Sequence, residues 1–102
     1  MRKHIPRKFT DVNIIRSILL NINEHIETDY TDYKISETRY IAIIKSLIQF
    51  GIVNHTENSA NFNTSELIIS NLELFNKWSK NGFYSTIDRF IVPILLESLK
   101  LL

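Results

Sequence analysis

Two groups of side chains in this 102-residue chain have the types and spacing to do chemistry. Thr38, Arg39, Lys45, Ser46 and Gln49 fall together on the polar side of a stretch with helical periodicity. From a helix laid in a major groove, Arg and Lys reach guanine acceptors, Gln pairs with adenine, and all of these residues can meet phosphate oxygens. The second group is Arg2, Lys3, Arg7 and Lys8, four cations within ten residues and no acid among them. They flank Ile5-Pro6, which resists helix, and so suit a flexible segment that tracks phosphates or enters a minor groove. Lys34 adds a cation just ahead of the first group. Each group also has a plainer reading, as a solvated helix face and as a solubilising terminus.

The net charge of +1 hides this arrangement, because residues 1–10 carry +4 and the rest of the chain −3. A basic arm therefore precedes a mildly acidic body. Catalytic chemistry finds less support. His4, His25 and His55 have no spacing that sets two of them on one helical face, so no metal site is expected. Glycine occurs only at 51 and 82, which leaves no phosphate-cradling loop, and no G-x-S-x-G elbow is present. The absence of cysteine excludes disulfides, thiol catalysis and cysteine-ligated metals. Neither an enzyme nor a cofactor is expected. The acids Glu24, Glu27, Asp29 and Asp32 cluster along polar segments, where a solvated face is the usual outcome. They also define the alternative function, a protein-binding face on a module or a phage- or plasmid-encoded inhibitor of a host protein.

Periodicity and capping predict the elements that must position these residues. Thr10 or Asp11 caps a first helix over about residues 11–26, with Ile15, Ile18, Leu19, Ile22 and Ile26 on one face and Asn13, Arg16, Ser17, Asn23 and Glu24 on the other. The doubled Thr28-Asp29-Tyr30 and Thr31-Asp32-Tyr33 predicts a turn and one short helical turn. Ser36 caps a second helix whose buried stripe is Tyr40, Ile41, Ile44, Leu47 and Ile48, and Gly51 stands where a left-handed stop belongs. Residues 52–55 and 62–69 predict a hairpin. Its tip carries Glu57 and no cation, whereas a wing that grips a phosphate backbone would be basic. Ser70-Asn71-Leu72-Glu73 reads as a capping box for a helix over about residues 71–80, with Leu72, Leu74, Phe75 and Trp78 as its apolar residues.

A last helix is expected after Ser85, bent or restarted at Pro93. Its apolar residues exceed one stripe and leave Val92, Leu96, Leu101 and Leu102 over, which predicts a homodimer interface there unless the first helix covers that side. The longest apolar run, Phe90 to Leu96, is too short for a membrane span. The stretch from Val12 to Ile22 is interrupted by Asn13, Arg16 and Asn21 and lacks a cleavage site, so the expected location is cytoplasmic, with no membrane partner.

The order of elements resembles the YjcQ-like small winged-helix family of Gram-positive bacteria and their phages. The likeness covers residues 10–102: a first helix, Ile35-Ser36, a helix ending Phe50-Gly51-Ile52-Val53, a hairpin, Glu66-Leu67 and the closing Trp78-Ser79-Lys80. Related proteins commonly open the helix after the wing with Thr-x-Lys-Gly, where this chain has Ser70-Asn71-Leu72-Glu73. The resemblance implies, by fold analogy, a small DNA-binding regulator of bacterial or mobile-element origin, and it supplies no catalytic residues. The expectation is thus a mostly α domain with a small β-hairpin, a winged helix-turn-helix with an added C-terminal helix. It divides into a flexible arm at 1–10, a core at 11–82 and a dimerising helix at 83–102. Its expected partner is double-stranded DNA, bound sequence-selectively.

Overall fold

A computed structural model of the chain describes residues 2–57, 61–81, 93 and 97. The expected homodimer interface of Val92, Leu96, Leu101 and Leu102 lies outside the described residues. The described chain is mostly helical with one small antiparallel sheet.

Helix α1 spans Asp11–Asn23, and its N-cap is Thr10, whose hydroxyl accepts from the Asn13 amide at 3.3 Å. Ile14, Ile15, Ile18, Leu19 and Ile22 recur at three- and four-residue spacing and are all buried. Each contributes roughly 1.5–3 kcal/mol relative to exposure in water. The helix stops short of the predicted residue 26 because His25 takes a left-handed φ of 54°. That turn lets His25 N donate to the Ile22 carbonyl at 3.1 Å and Ile26 N to the Asn21 carbonyl at 2.9 Å, a Schellman motif.

The same stop recurs twice. The doubled tripeptide forms a 3₁₀ turn at Tyr30–Tyr33, as its short length predicts, and ends with Lys34 at φ 55°. Helix α2, Glu37–Gln49, is capped by Ser36 and ends at Gly51 with φ 73°, where Gly51 N reaches the Ile48 carbonyl and Ile52 N the Leu47 carbonyl. Its fully inward residues are Tyr40, Ile43, Ile44 and Leu47, with Ile41 and Ile48 half-buried at the edges. Ile43 thus belongs to a stripe that the sequence reading drew without it.

Strands β1, Val53–His55, and β2, Leu67–Ile69, pair antiparallel with Val53 opposite Ile69. Val53, Leu67 and Ile69 point into the core, whereas Asn54 and Ile68 face outward. The second strand is shorter than expected. Asn63 accepts from the Ser65 amide and winds residues 64–66 into a 3₁₀ turn instead. Helix α3, Leu72–Asn81, follows, and its cap is Asn71, which accepts from Leu74 N at 3.0 Å. Ser70, expected to be the cap, instead donates its hydroxyl to the Gly51 carbonyl at 2.9 Å and ties the end of β2 to the stop of α2. Phe75 completes the core while Leu72 stands in solvent. Helix α1 lies against β2 and the 64–66 turn, and α2 lies against β1 and the 30–33 turn.

Candidate functional site

The segment expected to be a free arm is a strap laid along α1. His4 N donates to Asn21 Oδ1 at 2.8 Å, and Asn21 Nδ2 returns a bond to the His4 carbonyl at 3.0 Å. At the other end Asn13 Nδ2 donates to the Lys8 carbonyl at 3.1 Å. The two clamps match in length: four extended residues from His4 to Lys8 span roughly 13 Å, and eight helical residues from Asn21 to Asn13 span roughly 12 Å. Phe9 packs against the core, and Lys3 Nζ lies 3.2 Å from Asp32 Oδ1. The strap also explains Ser17, which the sequence places on the polar face of α1 but which is only 7% exposed.

Beyond the strap, the start of α1 meets the start of α2. Lys34 Nζ stands 4.8 Å from the centre of the Phe9 ring, and Arg39 Nη2 is 2.9 Å from Asp11 Oδ1. Arg7 and Lys8 line a groove with Asn13, Arg16 and Ser17 of α1, and the two contacts set Phe9 and Asp11 beside Lys34 and Arg39 at the start of the outer face of α2. That face presents Thr38, Lys45 and Gln49 to solvent, with Ser46 half-buried among them. Lys45 Nζ approaches the Phe62 ring to 5.9 Å. Arg2 and Lys3 sit at the opposite end of the strap and do not join this group. Arg39, expected to reach bases, is paired with a carboxylate instead. Both partners are about a third or more exposed, so the pair is worth at most about 1 kcal/mol.

Beneath the strap runs a buried polar chain that the sequence did not reveal. Asn21, Thr28, Tyr33 and Thr64 are all almost fully enclosed. The Thr64 hydroxyl donates to the Ile26 carbonyl, which accepts only, and this end fixes every hydrogen in the chain. Thr28 must then donate to Thr64 Oγ1 at 2.7 Å, Tyr33 to Thr28 Oγ1 at 2.6 Å, and Asn21 Nδ2 to the Tyr33 oxygen at 2.8 Å. Asn21 thereby uses both amide hydrogens and its oxygen. Burial pushes the Tyr33 phenol up to about 12, tempered by its bonds to Thr28 and Asn21. Tyr40 is stacked on Tyr33 at 6.0 Å, donates to the Phe62 carbonyl at 2.7 Å, and is also raised by burial. The one available signal was Asn21 itself, a polar residue in line with the buried face of α1.

The four acids of the alternative face are engaged within the chain. Glu24 hydrogen-bonds His4, Glu27 accepts from Asn63 Nδ2 at 3.0 Å, and Asp32 holds Lys3 and the Asp29 amide. Asp29 accepts from the Thr31 hydroxyl and amide, which holds its carboxyl below the usual range. A groove of about 280 Å³ opens beside them, lined by Tyr30, Tyr40, Ile41 and Phe62 with Asp29 and Glu37. His25 and His55 stand apart from His4, at the end of α1 and in β1. Among the described residues no group of three His, Cys, Asp or Glu side chains could hold a metal ion, and no helix is long and apolar enough to cross a membrane. No protein-family model, curated protein or solved structure matches the chain.

Proposed function

We propose that the protein binds double-stranded DNA on a winged-helix frame, with α2 entering the major groove and β1–β2 as the wing. The observation that carries this reading is the solvent-facing polar side of α2, which exposes Thr38, Lys45 and Gln49 with Ser46 half-buried among them. Lys34 and Arg39 form a cationic border at its start, and Arg7 and Lys8 add two exposed cations on the strap that leads into Phe9 and Asp11, the partners of that border. Phosphate contacts from the border set register, and the helix face reads base edges. The exposed acid Glu57 after β1 repels the backbone instead of gripping it, so affinity rests on the cations and on pairing two copies. Dimerisation through residues 83–102 would set two α2 helices on adjacent half-sites.

Retention of random and genomic duplexes at low salt tests the reading. Replacing Arg7 and Lys8 by Gln lowers affinity for all sequences alike and reduces the salt slope by roughly 2. Substituting Lys45 and Gln49 by Ala changes sequence preference more than the salt slope. If no duplex is retained at low salt, the DNA reading fails. Partner binding that ignores Arg7 and Lys8 but is lost on reversing Glu24, Glu27, Asp29 and Asp32 would instead establish a protein-binding module. Equilibrium sedimentation tests the dimer.

A further inference from the structure

The strap and α1 enclose a solvent-open groove of about 390 Å³ lined by Pro6, Arg7, Lys8, Asn13, Arg16 and Ser17. Its floor holds an anomaly. Ser17 is only 7% exposed, and its hydroxyl makes no hydrogen bond among the described residues. Buried hydroxyls are almost always paired, because leaving one without a partner forfeits its hydration for nothing in return. Serine within a helix usually back-bonds to its own carbonyls, and Ser17 does not. An orphaned donor in the floor of a groove whose rim carries two exposed cations is arranged for an acceptor that arrives from outside.

The chemistry of the lining narrows that acceptor. Arg7 supplies a planar fork of donors and Lys8 a point charge, both on one stretch of backbone held in place by Asn13. Ser17 adds a neutral donor below them. Donors from several sides with a net positive charge fit a tetrahedral oxyanion better than a neutral or cationic group. We propose that this groove is a phosphate-binding site in which Arg7, Lys8 and Ser17 hold the oxygens of one phosphate group. The phosphate could come from the DNA backbone or from a free phosphate ester. Only the first source rests on the DNA reading above.

The test titrates the full-length protein with inorganic phosphate, following backbone amide resonances against sodium chloride at matched ionic strength. Saturable shifts confined to residues 7–8 and 13–17 are expected, weakened at least fivefold by Ser17→Ala and by Arg7→Gln with Lys8→Gln. Ser17→Ala removes an unpaired buried hydroxyl, so it should melt at or above the wild-type temperature while binding phosphate less well. A purely structural Ser17 would do the opposite, losing stability and leaving phosphate binding unchanged. Shifts no different from those in chloride, or equal in wild type and Ser17→Ala, overturn the site. A parallel titration with a random duplex separates the sources. Duplex affinity that falls with Ser17→Ala makes the backbone the source. Phosphate binding without duplex retention leaves the site standing with a free ester as its ligand, and sinks the DNA reading alone. Duplex retention indifferent to Ser17→Ala, without specific phosphate shifts, sinks the site alone.

Discussion

The two ends of α1 use the same residue types to opposite purposes. Near its C-terminus, Asn21 lies inside a closed polar chain in which each side-chain hydrogen has one destination. Near its N-terminus, Asn13 holds the strap, but the cations around it project outward and the Arg39–Asp11 pair is open to water. A buried chain with no spare donors can only hold structure together, since a ligand would find nothing to bind. An exposed border of weakly held charges adds little to folding and has its donors available. The contrast teaches where function can reside in this molecule: at the end of the strap that the fold leaves incompletely satisfied.

The sharpest way to break this comparison is Asn21→Ala. It strands the His4 amide and carbonyl and the Tyr33 oxygen at once, at about 1–3 kcal/mol for each group that water cannot reach. Chemical denaturation should register a loss of roughly 3 kcal/mol, and a loss below 1 kcal/mol would show that the chain is not structural. Tyr33→Phe removes one member only and should cost roughly 1–3 kcal/mol.

That second variant also sharpens the pH dependence. Below pH 10 the Tyr33 phenol is protonated in folded and unfolded chains alike, and its contribution is fully present. Between 10 and about 12 the unfolded chain releases the proton while the folded one keeps it, so stability falls as pH rises, by up to about 1.4 kcal/mol per pH unit. Tyr33→Phe should make this alkaline fall shallower, with Tyr40 responsible for what persists. A fall of unchanged steepness, measured by melts from pH 9 to 12, would place Tyr33 in water.

Smaller effects come from the three left-handed stops. Gly51→Ala meets no atom within 4 Å of the new methyl, so its cost is the backbone strain alone, roughly 1 kcal/mol. His25→Gly should gain a few tenths to about 1 kcal/mol, because relief of the same strain outweighs the added freedom of the unfolded chain. Arg39→Ala comes last and should move stability by no more than about 1 kcal/mol while weakening the proposed DNA binding. A destabilisation above 2 kcal/mol at Arg39 would turn the border into structure and erase the difference between the two ends.

Much of the fold was legible because it rests on local rules. The Thr10 and Ser36 caps, the isoleucine spacing of α1, the Gly51 stop and the short turn at Tyr30–Tyr33 depend on neighbours within one or two helical turns. The errors share one cause. Ser17 was placed in solvent, residues 1–10 were read as a flexible arm, and the Asp11 partner of Arg39 was not foreseen, because the groups that hold them lie far along the chain. His4 finds Asn21 across 17 residues, and Arg39 finds Asp11 across 28. The left-handed stops at His25 and Lys34 were missed because neither residue advertises a positive φ as glycine does.

What the sequence by itself determined is the set of elements and the two sources of positive charge, since periodicity, caps and local charge density are properties of short stretches of chain. Only the tertiary structure decided which of those charges stand together. Two asparagines at matched spacing turn the N-terminal segment back along α1, and that long-range closure sets Arg7 and Lys8 over a groove on α1, buries Ser17 and draws Lys3 to Asp32. Pairing between distant groups is set by the packing that closes the core, and no pattern within a single element encodes it.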